Sequence, residues 1–153
     1  MHEEILEYAI RYAHQGLQVF PVGPDKVPMV ARGFKAGSSN PAEVSAMFYG
    51  RNVPMIGFVH NKFMILDFDG ELGWQTYHEY GYRFPTPLAS VRTRSGGLHL
   101  YYPNPEGKLK RRIKYLPNMD VLAGNGGYAI APPSVGYEFI TGSMEDTLRR
   151  LDG

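Results

Sequence analysis

Residues Lys62–Asp69 read Lys-Phe-Met-Ile-Leu-Asp-Phe-Asp, and Gly70 follows directly. A short apolar run thus ends in two aspartates separated by one residue. Alternate side chains of a β-strand share a face, so Asp67 and Asp69 are expected to project side by side. An apolar strand that ends in two carboxylates can hold a divalent cation at the end of a sheet. The alternative is a strand followed by an acidic turn, because Asp and Gly are common turn residues.

Length and composition are those of one ordinary globular domain. The chain has 153 residues, of which 43% are hydrophobic and 20% charged, so it can bury a real core. The formal net charge of +1 provides no overall field for nucleic acid. Any contact with nucleic acid must therefore come from local basic clusters.

Several classes of protein are excluded or disfavoured by what the sequence lacks. There is no cysteine, which excludes disulfides, thiolate nucleophiles and cysteine-ligated zinc. No apolar run approaches the roughly 20 residues of a membrane span. The first residues, Met1-His2-Glu3-Glu4, do not resemble a signal peptide. We therefore expect a cytoplasmic protein with no membrane association.

The order of predicted elements indicates an α+β fold whose second half is antiparallel. Periodicity and caps predict helices at Glu3–Gln15 (ended by Gly16), from Pro41 to Phe48 after a Ser39 or Asn40 cap, at Glu71–Tyr80, and at Met144–Leu151 after Ser143. Strands are predicted at Leu17–Val22, Met55–Val59, Phe63–Leu66, Ala89–Thr93, Leu98–Tyr102, Met119–Leu122, Tyr128–Ala131 and Tyr137–Ile140. A tight turn at His60-Asn61 is expected to join the second and third of these strands.

Three further features place polar groups beside apolar strands. The segment Ser95–His99 contains two glycines, whose backbone amides suit phosphate oxygens, and a histidine that can donate to the same phosphate. A plain hairpin with a surface histidine is the alternative. Asp120 lies near the start of the apolar run Met119–Leu122, although a single acid is weak evidence for a functional site. Arg92 and Arg94 flank the glycine turn and suit a triphosphate, but they are equally ordinary as surface charge.

Together these residues suit nucleotidyl transfer. Two or three carboxylates can bind two Mg²⁺-like ions, which activate a 3′-hydroxyl and stabilise the leaving pyrophosphate. The histidine and the turn amides would hold the phosphates of the incoming nucleotide.

The motifs also resemble a known family. The series that carries the resemblance is Ile65–Asp69, Arg92–Tyr102, Met119–Val121, Gly126–Tyr128 and Ala131–Ser134, together with an early helix, the Val19-Phe20-Pro21 strand and a Lys-x-Pro loop. In this order and spacing it resembles the primase–polymerase domain of the archaeo-eukaryotic primase superfamily, and in particular the N-terminal domains of phage and plasmid bifunctional primase-polymerases. The resemblance covers nearly the whole chain, so residues 1–153 are expected to form a single catalytic domain.

The resemblance implies a role for each matching residue. It makes Asp67, Asp69 and Asp120 the catalytic, metal-binding acids, and His99 a contact to the nucleotide phosphates. Ser95, Gly96 and Gly97 match the small-residue turn before that histidine. Many relatives have serine at the position of Gly97, and close relatives often have proline at that of Arg94. Arg94 is therefore either an added phosphate contact or a solvent-facing side chain.

The implied fold is an RRM-like antiparallel half packed on a smaller α/β half. The implied activity is template-directed DNA primase or polymerase chemistry with two Mg²⁺ or Mn²⁺ ions. Its partners would be a DNA template and primer and NTPs or dNTPs, with a replicative helicase or accessory domain as a further candidate. Lys26, Lys35 and the basic run Lys108–Lys114 are candidate template or nucleotide contacts, with a solvated basic surface as the alternative.

Two other functions stay open at this point. The first is a non-catalytic module that binds nucleotides or single-stranded DNA, although such a binder would not need three acids. The second is a phosphatase, because Asp67–Leu72 resembles the nucleophile motif of haloacid-dehalogenase-like enzymes. That family usually places the motif near the N-terminus and needs a later acidic pair, whereas Asp120 stands alone here.

Overall fold

The structure, a computed structural model, describes residues 3–107, 109–123 and 127–152. Its helices are α1 (Glu3–His14), α2 (Pro41–Phe48), α3 (Gly70–Tyr80) and α4 (Met144–Asp152). Its strands are β1 (Gln18–Val22), β2 (Met55–Val59), β3 (Phe63–Phe68), β4 (Ala89–Arg92), β5 (Leu98–Pro103), β6 (Arg112–Leu116), β7 (Met119–Leu122), β8 (Ala129–Ala131) and β9 (Glu138–Thr141). The predicted α+β class is confirmed.

The strands form two antiparallel sheets. The small sheet has the order β1-β2-β8, and the large sheet has the order β6-β7-β3-β5-β4-β9. The sequence predicted a tight turn between β2 and β3, and the structure places these two strands in different sheets. The turn at His60-Asn61 therefore carries the chain from the small sheet to the large one, and β8 later returns to pair with β2.

The two faces of the large sheet pack against different partners. Phe63 and Ile65 of β3 join a core that includes α1, α2 and the small sheet. Leu66 and Phe68 face the other way, into a second core that α3 covers through Trp74 and Tyr77. Because side chains alternate along a strand, Asp67 shares the face of Ile65 and points toward the small sheet.

Helix caps follow the sequence closely. Asn40, rather than Ser39, caps α2, because its Oδ1 accepts from the backbone amides of Ala42 and Glu43. Ser143 caps α4 by accepting from the amide of Asp146 at 3.0 Å. Within the described ranges, no helix has both the length and the apolar character needed to cross a bilayer.

Strand β6 is the one strand that the sequence did not predict. Its residues Arg112–Leu116 overlap the basic run Lys108–Lys114, which the sequence marked only as a candidate template or nucleotide contact. Charged and apolar residues alternate from Arg112 to Tyr115, but all four are exposed, so no buried face accompanies the pattern. Lys108, at the start of that run, lies outside the described residues.

Candidate active site

The large sheet brings three of the predicted site residues into one row. Asp67 of β3 lies directly opposite His99 of β5 on one side and directly opposite Asp120 of β7 on the other. Directly opposed residues of an antiparallel pair share a face and lie roughly 4.5–5.5 Å apart between Cα atoms. In the sequence His99 and Asp120 lie 32 and 53 positions after Asp67, and only strand pairing makes them neighbours.

The imidazole of His99 contacts the first acid directly. Its Nε2 lies 3.3 Å from Oδ1 of Asp67. The residue is 5% exposed, and its other ring nitrogen, Nδ1, is buried without a hydrogen-bond partner in the described part of the chain. Buried polar atoms are normally paired, so this nitrogen is suited to a ligand group.

A β-bulge surrounds Asp120. Arg112 pairs with Val121 and Leu116 with Met119, so three residues of β6 lie opposite the single residue Asp120. In this bulge the backbone amide of Lys114, which has a φ of 54°, donates to Oδ1 of Asp120 at 2.7 Å. Bulges of this kind commonly re-aim groups beside functional sites.

Asp69 lies where β3 gives way to α3. It is the N-cap residue of α3, but its side chain makes no capping hydrogen bond. Instead its Oδ1 accepts from the hydroxyl of Ser95 at 3.4 Å. Asp69 is thereby linked to the glycine turn between β4 and β5.

Gly97 allows that turn to lie against the end of β3. A Cβ at this position would stand 2.1 Å from the carbonyl oxygen of Phe68 and 2.7 Å from the amide nitrogen of Gly70. No side chain fits there, so position 97 requires glycine and cannot supply a hydroxyl. The hydroxyl beside Asp69 comes from Ser95 instead.

The backbone polar groups of the glycine turn are largely hydrogen-bonded within the protein. The amide of Gly96 donates to the carbonyl of Thr93 at 2.9 Å, and that of Gly97 donates to Oγ1 of Thr93 at 3.1 Å. The indole of Trp74 in α3 donates to the carbonyl of Gly96 at 2.6 Å. The turn is therefore rigid, and its amides have internal acceptors before any phosphate binds.

The two arginines beside the turn take different places. Arg92 pairs with Leu98 and Glu138, which puts it on the α3 face of the sheet, away from His99. Arg94 donates from Nη1 to the carbonyl of Pro24 at 2.6 Å, in the loop that follows β1. It also fills the space beside Gly136, whose φ is 87°. Arg94 thus connects the glycine turn to the small sheet.

A cleft of about 430 Å³ opens between the two sheets at this point. Asp67 and His99 line it from the large sheet, and Ala129 and Ile130 line it from the small one. The remaining lining consists of two cations, Lys26 and Arg111, and five further residues: Phe34, Leu122, Gly127, Tyr128 and Tyr137. A negatively charged ligand in the cleft would meet both cations as well as the aspartate and the histidine.

Aromatic residues hold Lys26 over this cleft. The ammonium of Lys26 lies 5.9 Å from the ring centroid of Tyr137, which is itself 6.2 Å from the imidazole of His99. The hydroxyl of Tyr128 donates to the carbonyl of Lys26 at 2.6 Å. Burial, and to a lesser extent the Asp25 carboxylate, raise the pKa of Tyr128, so its hydroxyl remains protonated.

The sequence did not single out the two tyrosines as site residues. Tyr128 reaches the cleft because β8 pairs with β2, more than 70 residues earlier, and no local pattern signals that pairing. The neighbouring motif Ala131–Ser134 has a structural role, since Oγ of Ser134 accepts from the amide of Ile56 at 2.7 Å. Gly126 of the adjoining motif lies outside the described residues.

The three acids suit a divalent ion by their chemistry, since carboxylate oxygens are the ligands that Mg²⁺ and Mn²⁺ prefer. Asp67 and Asp120 are direct neighbours, and Asp69 is two residues further along the chain. No group of three histidine or acidic side chains forms a preformed metal site in the ranges that the structure describes. The donor set is present, with Asp69 and Asp120 engaged by Ser95 and Lys114.

An acid–histidine row on an antiparallel sheet faces a cleft lined by two cations, and this arrangement is chemically suited to a phosphate-bearing substrate. The comparison with protein families assigns the chain more closely. The family model described as "Bifunctional DNA primase/polymerase, N-terminal" matches residues 9–151, and the chain belongs to this family. The predicted resemblance is thereby confirmed, and the family is one of DNA primase/polymerase-type nucleotidyltransferases. No curated protein matched the chain.

Proposed function

We propose that the chain catalyses template-directed nucleotidyl transfer, by primer synthesis, primer extension or both. One observation supports this most strongly: Asp120, Asp67 and His99 form a continuous cross-strand row, two members of which line the cleft that contains Lys26 and Arg111. A carboxylate pair next to cationic side chains is the arrangement that suits nucleotidyl transfer from a nucleoside triphosphate to a 3′-hydroxyl, with pyrophosphate as the leaving group.

Two sets of groups would share the work. Lys26 and Arg111 would neutralise the triphosphate, and His99 would donate to a phosphate oxygen. Beside His99 on the large sheet, Asp67 and Asp120, with Asp69, would hold two Mg²⁺ or Mn²⁺ ions. Those ions would supply Lewis acidity to the primer 3′-hydroxyl and charge neutralisation to the leaving pyrophosphate.

The positions of the protein groups also suit exclusion of water. Tyr137 lies between Lys26 and His99, and Phe34, Leu122 and Ile130 give the cleft an apolar wall. Electrostatic interactions with a bound triphosphate are stronger in such a partly dry setting than in bulk water.

The test is extension of a labelled primer–template with NTPs or dNTPs, with Mg²⁺ or Mn²⁺. Extension that follows the template and disappears in the double variant Asp67→Asn/Asp120→Asn is the expected result. Full extension by that variant would overturn the assignment of the acids. Release of phosphate from nucleotides without template would favour a phosphatase, and strand binding indifferent to metal, without extension, would favour a non-catalytic module.

A further inference from the structure

Strand β6 presents exposed apolar side chains at the edge of the large sheet. We define residues 109–116 as the β6 edge. Leu109, Ile113 and Tyr115 are exposed by 49%, 58% and 56%. Edge strands usually carry charges and avoid apolar clusters, because an unpaired apolar edge promotes aggregation. Exposed apolar groups here therefore indicate a binding surface.

The same segment carries a local concentration of positive charge. Its cations are Lys110, Arg111, Arg112 and Lys114. No acidic residue occurs between positions 109 and 119, and none of these cations forms an ion pair within the described ranges. The whole chain has a formal charge of only +1, so this field is confined to one edge. A polyphosphate chain is the partner that such a field attracts most strongly.

The basic and aromatic groups lie within reach of one another. The guanidinium of Arg112 is 5.8 Å from the ring centroid of Tyr115. Proteins that bind single-stranded nucleic acid combine cations along the backbone with aromatic rings on which bases stack. A duplex hides its base faces, so a ring presented in this way favours an unpaired strand.

The β6 edge is continuous with the candidate active site. Arg111, at its start, lines the cleft beside Asp67 and His99. Further along, the amide of Lys114 binds Asp120 in the bulge, and Tyr115 follows directly. A strand lying along this edge would therefore pass from the outer surface to the row of acids.

We propose that the β6 edge binds single-stranded nucleic acid and guides the template strand to the cleft. Bases stack on Tyr115 and contact Ile113, while Arg112, Lys114 and Lys110 neutralise phosphates. The identification of this strand as a template rests on the proposed function, but the binding chemistry does not.

Fluorescence anisotropy with a labelled oligothymidylate tests the surface without nucleotide or metal. Tyr115→Ala is expected to raise Kd at least about 5-fold, the effect of losing one stacked base. Arg112→Gln/Lys114→Gln is expected to reduce the slope of log K against log salt by about 1.4, because each phosphate contact on a single strand contributes about 0.7. Lys114→Gln leaves the backbone contact to Asp120 in place.

Matched controls lie on other surfaces. Tyr49 is 75% exposed at the end of α2, and Arg149 and Arg150 are exposed on α4. Tyr49→Ala and Arg149→Gln/Arg150→Gln should leave Kd and the salt slope unchanged, and thermal melting should show every variant folded. Equal losses in the control variants, or binding of blunt duplex that is as tight as that of the single strand, would overturn the proposal.

The design separates this inference from the proposed function. Asp67→Asn/Asp120→Asn should abolish extension but retain oligothymidylate binding. If wild-type protein extends primers while the β6 variants bind the single strand normally, the β6 proposal fails and the proposed function stands. If extension is absent but the β6 variants still lose single-strand binding, the proposed function fails and the β6 proposal stands.

Discussion

His99 and Asp67 contact each other across the β5–β3 pair, with 3.3 Å between Nε2 and Oδ1. The imidazole is the more deeply buried partner, because its side chain is 6% exposed and that of the aspartate is 28% exposed. Asp67 is also the direct neighbour of Asp120. One carboxylate thus connects the groups that we assign to phosphate binding with those that we assign to metal binding.

His99→Ala is expected to weaken nucleotide binding about 10–100-fold, the effect of losing one hydrogen bond to a charged group. Isothermal titration with a nucleoside triphosphate measures this directly. Because His99 is buried, His99→Gln, which keeps a polar donor, serves as the second variant and should recover part of the affinity. An unchanged nucleotide Kd in a folded His99→Ala protein would remove the histidine from the phosphate site.

Removal of single acids should reduce metal affinity separately from catalysis. Asp67→Asn and Asp120→Asn are each expected to weaken Mn²⁺ binding about 10-fold or more, because affinity for hard cations follows the number of charged ligands. The loss of free Mn²⁺ signal in electron paramagnetic resonance provides the measurement. Glu145→Gln, an exposed acid on α4, is the matched control. Mn²⁺ binding that is equal in all four proteins would exclude the acid row as the metal site.

Local patterns in the sequence were sufficient to predict most elements. The apolar run before Asp67 predicted β3, and the glycines before His99 predicted the β4–β5 turn, since both depend on neighbouring residues. Ser143 predicted the start of α4 for the same reason. The family resemblance also grouped Asp67, His99 and Asp120 before their strands were known to be adjacent.

Those local patterns could not predict which strands pair with each other across long stretches of the sequence. The transfer of the chain between sheets at His60-Asn61 depends on what β2 and β3 pack against, which their nearly uniform apolar sequences do not show. Strand β6 was missed because its stability comes from pairing with β7 rather than from an apolar face. The anchoring role of Arg94 depends on the carbonyl of Pro24, 70 residues away.

Two adjacent glycines should respond differently to the same substitution. Gly97→Ala would place a Cβ against the backbone of Phe68 and Gly70, and is expected to lower the free energy of unfolding by about 3 kcal/mol or more. Gly96 has a φ of 84° but open space around it, so Gly96→Ala should cost about 1–2 kcal/mol through backbone strain alone. Urea denaturation compares the two. A smaller loss for Gly97→Ala than for Gly96→Ala would contradict the close packing of the turn on β3.

Arg94 is expected to support nucleotide binding through Lys26, because it holds the carbonyl of Pro24 in the loop that places Lys26 over the cleft. Arg94→Ala should weaken nucleotide binding about 3–10-fold, as expected for the loss of a hydrogen bond worth roughly 1 kcal/mol. In the background of Lys26→Gln the same change should have little further effect, since the loop would have no cation to place. Nucleotide Kd values for the two single variants and the double variant complete the cycle, and Arg92→Ala, on the opposite face of the sheet, is the control. Additive losses from Arg94 and Lys26 would instead mean that Arg94 contacts the phosphates itself, as the sequence alone also allowed.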